Sequence, residues 1–197
     1  MDGHLVSPRL GSADLELRGT KVRCMRFGER HVNAPEYLAW LNDLEVVRTL
    51  NLPSYANGVA IEVLRDYYEN TRRSETDLFL AVHDLADDAF VGTVKAGHIS
   101  WHAGTADIGI MIGRKDRWGR GLAGDAVSAL CSHLFDAVGL RKLTAGAMAI
   151  NPQVVRLFER LGFQHEARLR QQDAVDGGFC DHVLLGVFRD EFRPSHR

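Results

Sequence analysis

Arg114-Lys-Asp-Arg-Trp-Gly-Arg-Gly-Leu-Ala-Gly-Asp-Ala-Val127 is a glycine-rich turn that runs straight into a helix. An apolar run, Ile108-Gly-Ile-Met-Ile112, precedes it and reads as a strand. Behind it, apolar residues fall at Ala123, Ala126, Val127, Leu130, Cys131, Leu134, Phe135 and Val138, the spacing of a helix with one buried face. Gly139 supplies the stop. Strand, glycine turn and helix N-terminus together form an anion site. Glycines let a phosphate approach the backbone, and unpaired N–H groups with the helix dipole attract its charge. The stretch predicts a phosphorylated cofactor.

Working outward, the 197 residues suit one sizeable domain. A formal net charge of −2, with Lys and Arg scattered, gives no reason to expect nucleic acid. No apolar run is long enough to span a membrane, and the N-terminus lacks the basic and apolar regions of a signal peptide. The three cysteines, Cys24, Cys131 and Cys180, are odd in number and far apart, which predicts free thiols in a cytoplasmic protein. Nine histidines raise the question of metal, but His98 and His102 flank Trp101 in an extended stretch, so no metal site is expected.

The pattern predicts a flexible tail over residues 1–20 and one domain over 21–193. Within it come a strand at Val22–Arg26, helices at 34–42, from Asp43 and at 60–71, and a loop over Asn51–Gly58. Strands at Leu78–His83 and Phe90–Lys95 form a hairpin, His98–Trp101 continues or pairs with the second, and a strand at 106–112 feeds the glycine turn. Lys142–Ile150 is a strand, Asn151-Pro152 opens a helix that Gly162 ends, and a hairpin turning at Asp176-Gly-Gly178 closes the domain. The result is an α/β fold with a mixed, mostly antiparallel central sheet flanked by helices.

Gly119-x-Gly121-x-x-Gly124 matches the dinucleotide fingerprint literally, but four charged residues separate it from the strand. No carboxylate closes the next strand to hold a ribose. No Gly-Lys-Ser/Thr of a Walker loop follows. Instead Trp118-Gly-Arg-Gly-Leu-Ala-Gly124 resembles the pyrophosphate-binding motif of GNAT N-acetyltransferases. Asn151-Pro-Gln-Val-Val-Arg-Leu-Phe-Glu-Arg-Leu-Gly-Phe163 resembles that family's second acetyl-CoA segment. With Trp40-Leu-Asn-Asp43, the chain is most similar to the RimJ/RimL-like branch.

The resemblance implies the GNAT fold, with strand splay at the acetyl-CoA site, and acetyl-CoA as co-substrate. It implies cofactor contacts from Trp118, Gly119, Arg120, Gly121, Leu122, Ala123 and Gly124 in the turn, and from Asn151 and Phe158 in the second segment. The backbone of Met111, Ile112 and Gly113 would pair with the pantetheine arm and face the thioester oxygen. Asn151 also reads as an N-cap with Pro152 at the first helical position, and Arg120 equally as a surface charge. Two departures stand out. Trp118 occupies the Gln/Arg position of the motif. Phe158 occupies the position where many relatives carry a tyrosine that protonates the leaving thiolate.

An attacking amine must be neutral, so a base is required. Asp107 is the closest match to the family's acidic position, with His102 and His98 as the other candidates. The acceptor pocket is expected from the first helices, Tyr37, Trp40 and Arg48 included, and from the last hairpin, where Asp181 orients substrate or fixes the hairpin. The aromatic and basic groups lean the expected acceptor to an amino sugar of a nucleotide-linked sugar. A protein N-terminus, or a CoA-binding module without catalysis, stands as the alternative. Partners expected are a small-molecule amine or peptide N-terminus, no nucleic acid and no membrane; a homodimer is left open.

Overall fold

The computed structural model describes residues 10–50 and 58–195. Its core is an eight-stranded sheet in the order β1-β2-β3-β4-β5-β6-β8-β7. The strands are β1 (Glu16–Arg18), β2 (Val22–Arg26), β3 (Leu78–Asp84), β4 (Phe90–Ser100), β5 (Thr105–Ile112), β6 (Lys142–Met148), β7 (Gln164–Val175) and β8 (Gly178–Phe188). Neighbours run antiparallel except β5 and β6, which are parallel. A parallel pair needs a crossover, and α5 (Leu122–His133) supplies it.

The apolar stripe read in α5 packs with α6 (Pro152–Arg160) on one sheet face. There Ala126, Val127, Leu130, Leu157 and Phe158 join Ile108, Leu143 and Leu185 in the larger core. Four short helices, α1 (Glu29–Val32), α2 (Pro35–Leu41), α3 (Leu44–Val47) and α4 (Ile61–Arg72), cover the other face. A second core of Phe27, Tyr37, Trp40, Phe90 and Met111 forms beneath them. Asp43 caps α3, its side chain accepting from the Glu45 N–H. The α5 helix passes through a π-turn at Leu134–Val138 and stops at Gly139.

One expectation changes. Residues 10–20 are not a tail. Leu10 is buried, and β1 pairs with β2 over three residues. Leu15 and Leu17, apolar residues in a polar run, pack on the larger core, which is why this segment is held. Residues 1–9 and most of the expected 51–58 loop lie outside the described residues. The α1 helix, only four residues long, carries too little periodicity for the sequence to reveal it.

Candidate active site

The β5–β6 ladder lasts only three residues. Thr105, Ala106 and Asp107 pair with Lys142, Leu143 and Thr144, and then the strands part although each continues. The gap opens a cleft of about 1190 Å3 that runs through the sheet from the α5 N-terminus to the tip of the β7–β8 hairpin. On the far edge of β5 the Gly113 N–H donates to the Val91 carbonyl at 2.9 Å, so the backbone of Gly113, and by alternation of Met111, faces β4. The same alternation turns Ile112 and Ile110 to the open edge. This corrects the expectation for Met111 and Gly113 and adds Ile110, which strand parity would have revealed. Gly113 is required for another reason: a Cβ there would stand 2.0 Å from the Trp40 ring.

At the cofactor end, Gly119 (φ +75°) and Gly121 (φ +82°) take the left-handed conformation that favours glycine, and α5 begins at Leu122. A Cβ on Gly119 would meet nothing, while one on Gly121 would lie 3.0 Å from Nζ of Lys21. The turn therefore has open space, a helix N-terminus and an ammonium group, which together fit a pyrophosphate. Lys21, whose Nζ donates to the Arg120 carbonyl at 2.9 Å, lines this cleft. It comes from 100 residues away and nothing local in the sequence points to it. Arg120 itself is exposed and is absent from the cleft walls, whereas Gly119, Gly121, Leu122, Ala123 and Gly124 line them.

Trp118 donates from Nε1 to the Ile112 carbonyl at 2.7 Å and ties the turn back to β5. The charged residues before it are tethers too. Arg117 bonds Asp84 at 2.8 Å, and Lys115 reaches Asp43 at 2.7 Å, which with Glu45 pushes the ammonium up to about 12. Asn151 caps α6 by accepting from the Val154 N–H, and its amide donates to Thr49 Oγ1 at 3.1 Å. Phe158 is buried against Phe163 at the cleft wall.

On the acceptor side the expectations divide. Asp107 lines the cleft where the strands part and accepts from Thr144 Oγ1 at 3.0 Å. Burial pushes its carboxyl above the ordinary range, against the lowering effect of that hydroxyl. His102, exposed in the β4–β5 turn, and His98, exposed on β4 with φ +51°, do not line the cleft, because both sit at the closed end of that hairpin. Tyr37 and Trp40 are buried in the second core, stacked about Phe27 and Phe90, and are not cleft groups. Large aromatics on a helix that covers a sheet face bury there before they line a pocket. Arg48 does line the cleft, but its guanidinium is paired with Asp176 at the hairpin tip. Asp181 accepts from Arg168 Nε at 2.6 Å and from the Gln171 N–H at 2.9 Å. It holds a β7 bulge in which Gln171 has φ +52°, so it fixes the hairpin.

One pair was missed by reading the sequence. His182 on β8 bonds Asp173 on β7 at 2.7 Å through Nδ1. Asp173 is fully buried, and His182 lines the cleft. The two are nine residues apart on strands whose register is shifted by the bulge, so no spacing motif announces them.

Comparison with known proteins agrees with this geometry. The acetyltransferase (GNAT) domain family matches residues 26–164. The chain belongs to this family of acyl-transferring enzymes. It is 23% identical over 189 residues to the N-acetyltransferase p20 of Bacillus licheniformis, covering 95% of this chain and 97% of that one. It is 26% identical over 121 residues to the [ribosomal protein uS5]-alanine N-acetyltransferase of Escherichia coli, covering 59% and 60%. Among solved structures, the fold matches spermidine N-acetyltransferase from Vibrio cholerae in complex with CoA and spermine, with TM-score 0.78 and 17% identity over 87% of this chain and 98% of that one. It also matches Mycobacterium smegmatis RimJ in complex with CoA-disulfide, with TM-score 0.77 and 22% identity over 90% and 87%.

Proposed function

We propose that this protein transfers the acetyl group of acetyl-CoA to a primary amine carried by a small, positively charged acceptor. The observation that carries the reading is the early end of the β5–β6 ladder, which joins a glycine-turn anion site to an acceptor space through the sheet. Gly119, Gly121, Lys21 and the α5 N-terminus would hold the pyrophosphate, and the open edge at Ile110 and Ile112 the pantetheine arm. When bound, acetyl-CoA supplies the activated acyl group. This chain's residues then orient the two reactants, and well-oriented reactants account for roughly 7–11 kcal/mol of a barrier.

Asp107 supports a cationic acceptor. Among the described residues it is a cleft carboxylate with no ion pair, while Glu45 and Asp176 are taken by Lys115 and Arg48. The amino-sugar acceptor leaned on Tyr37, Trp40 and Arg48; with two of these in the core and the third paired, its support falls to a simple amine. A protein N-terminus is the second reading, favoured by the similarity to the uS5-alanine enzyme.

Release of free thiol from acetyl-CoA, with spermidine, glucosamine and an alanine-starting peptide as acceptors, tests the reading. Turnover is expected with at least one, best with spermidine. Gly121→Glu, which sets a carboxylate in the phosphate space on a strained φ, is expected to lower acetyl-CoA affinity at least tenfold, about 1.4 kcal/mol. Unchanged affinity by calorimetry would remove the glycine turn from the site.

A further inference from the structure

We propose that His182, held by Asp173, takes the proton from the attacking amine; the inference rests on the acetyl-transfer reading above. Four observations converge. The Asp173 carboxylate has no exposed surface, and a buried carboxylate is costly unless it is bonded. It accepts from His182 Nδ1, which fixes the tautomer and leaves Nε2 as the side with a lone pair. The Nε2 atom lies where a side chain of residue 146 would be: a Cβ built on Gly146 comes within 2.3 Å of it. Among the described residues no hydrogen bond is made to Nε2, and the side chain keeps 19% of its surface on the cleft.

The position suits the chemistry. Gly146 lies two residues beyond Thr144, on the β6 side of the splay, and Gly109 two residues beyond Asp107 on the β5 side. The space above Gly109 is open to 4 Å. The imidazole edge thus lies over the sheet face at Gly146, beside the gap just past its vertex, on the β6 side of the acyl group in this reading. Among the described residues, His182 meets Asp173 on β7 and acts on Asp107 on β5; Cys180 on β8 lies near Asp173, and the Arg48–Asp176 pair lines the same cleft.

The acceptor arrives as an ammonium and loses one proton to Nε2, which returns it to solvent. The amine nitrogen then bonds to the acyl carbon. The carbon–sulfur bond breaks with its electron pair on sulfur, and the second nitrogen proton ends on the thiolate. Amide, free thiol and one proton in solvent balance the equation. Asp173 stabilises the imidazolium without itself being protonated.

The test is thiol release by the full chain, with the same three amines, for the parent, His182→Ala and Asp173→Asn. For His182→Ala we expect kcat at least about 100-fold lower, with acetyl-CoA affinity unchanged. The acidic limb of the kcat/KM profile should be lost, and added imidazole should restore turnover. Asp173→Asn should retain part of the activity, with kcat lowered and acetyl-CoA affinity unchanged. If His182→Ala fails to fold by circular dichroism, His182→Gln, which keeps a donor for Asp173, carries the same expectation for kcat and the limb. A His182 variant that keeps kcat within about threefold, with its acidic limb intact, overturns the assignment and leaves acetyl transfer standing. A parent that binds acetyl-CoA but releases no thiol with any amine overturns both.

Discussion

Burial draws the Asp107 carboxyl above the ordinary carboxylate range although the Thr144 hydroxyl pulls it down. The sign of the consequence follows from linkage. The unfolded chain ionises near 3.9, the folded one at higher pH, so folding favours the protonated form. Stability from this group is complete below the unfolded value and is lost as pH rises through the folded one. Asp107→Asn, which still accepts from Thr144, should therefore melt above the parent at pH 7 and level with it at pH 3. Each 1 kcal/mol regained would raise Tm by about 2–4 °C in a chain this size. The same variant should raise KM for a cationic acceptor severalfold. A thermal scan showing no gain at neutral pH would mean the carboxylate is already neutralised by its surroundings. Asp107 was legible from its place before the glycine turn, because that place is set by a few neighbouring residues. His102 was equally near in sequence but belongs to a turn that points away from the cleft.

The α5 helix does two things, and only one is visible in its periodicity. Its apolar stripe enters the larger core as the spacing required. Its first turn also buries Asp125, whose carboxylate accepts from the backbone N–H groups of Thr20 (3.3 Å), Lys21 (2.7 Å) and Val22 (3.0 Å). That contact fastens the start of β2 to the glycine turn and sets Lys21 beside Gly121. Asp125→Ala would strip the carboxylate from these donors at once. With a buried, unpaired N–H costing about 1–3 kcal/mol, a loss of at least about 2 kcal/mol is expected in urea unfolding. Weaker acetyl-CoA binding should follow, since Lys21 would no longer be held. A loss under about 0.5 kcal/mol, within the range of an ordinary surface change, would show that water replaces the carboxylate. The sequence assigned this helix correctly and could not indicate its tie, which spans about a hundred residues.

Across the whole molecule, distant parts meet on the acceptor side of the cleft through Arg48, at the end of α3, and Asp176, at the β7–β8 turn. Both side chains are half exposed or more, and exposed pairs add little to stability. Arg48→Ala should leave Tm nearly unchanged while raising acceptor KM severalfold, with acetyl-CoA affinity unaltered. A KM that stays constant would show that the hairpin tip needs no latch. The sequence by itself determined the order of the longer strands and helices, the glycine turn, the cap at Asn151 and the family. Each of these is written in local periodicity or in backbone demands met within a dozen residues. Only the tertiary structure decided which groups face the cleft. It put Tyr37 and Trp40 in the core, turned Gly113 toward β4, brought Lys21 to Gly121 and set His182 against Asp173. Those outcomes depend on strand register, on a bulge in β7 and on which sheet face each helix covers. They are long-range packing choices that no short stretch of the chain encodes.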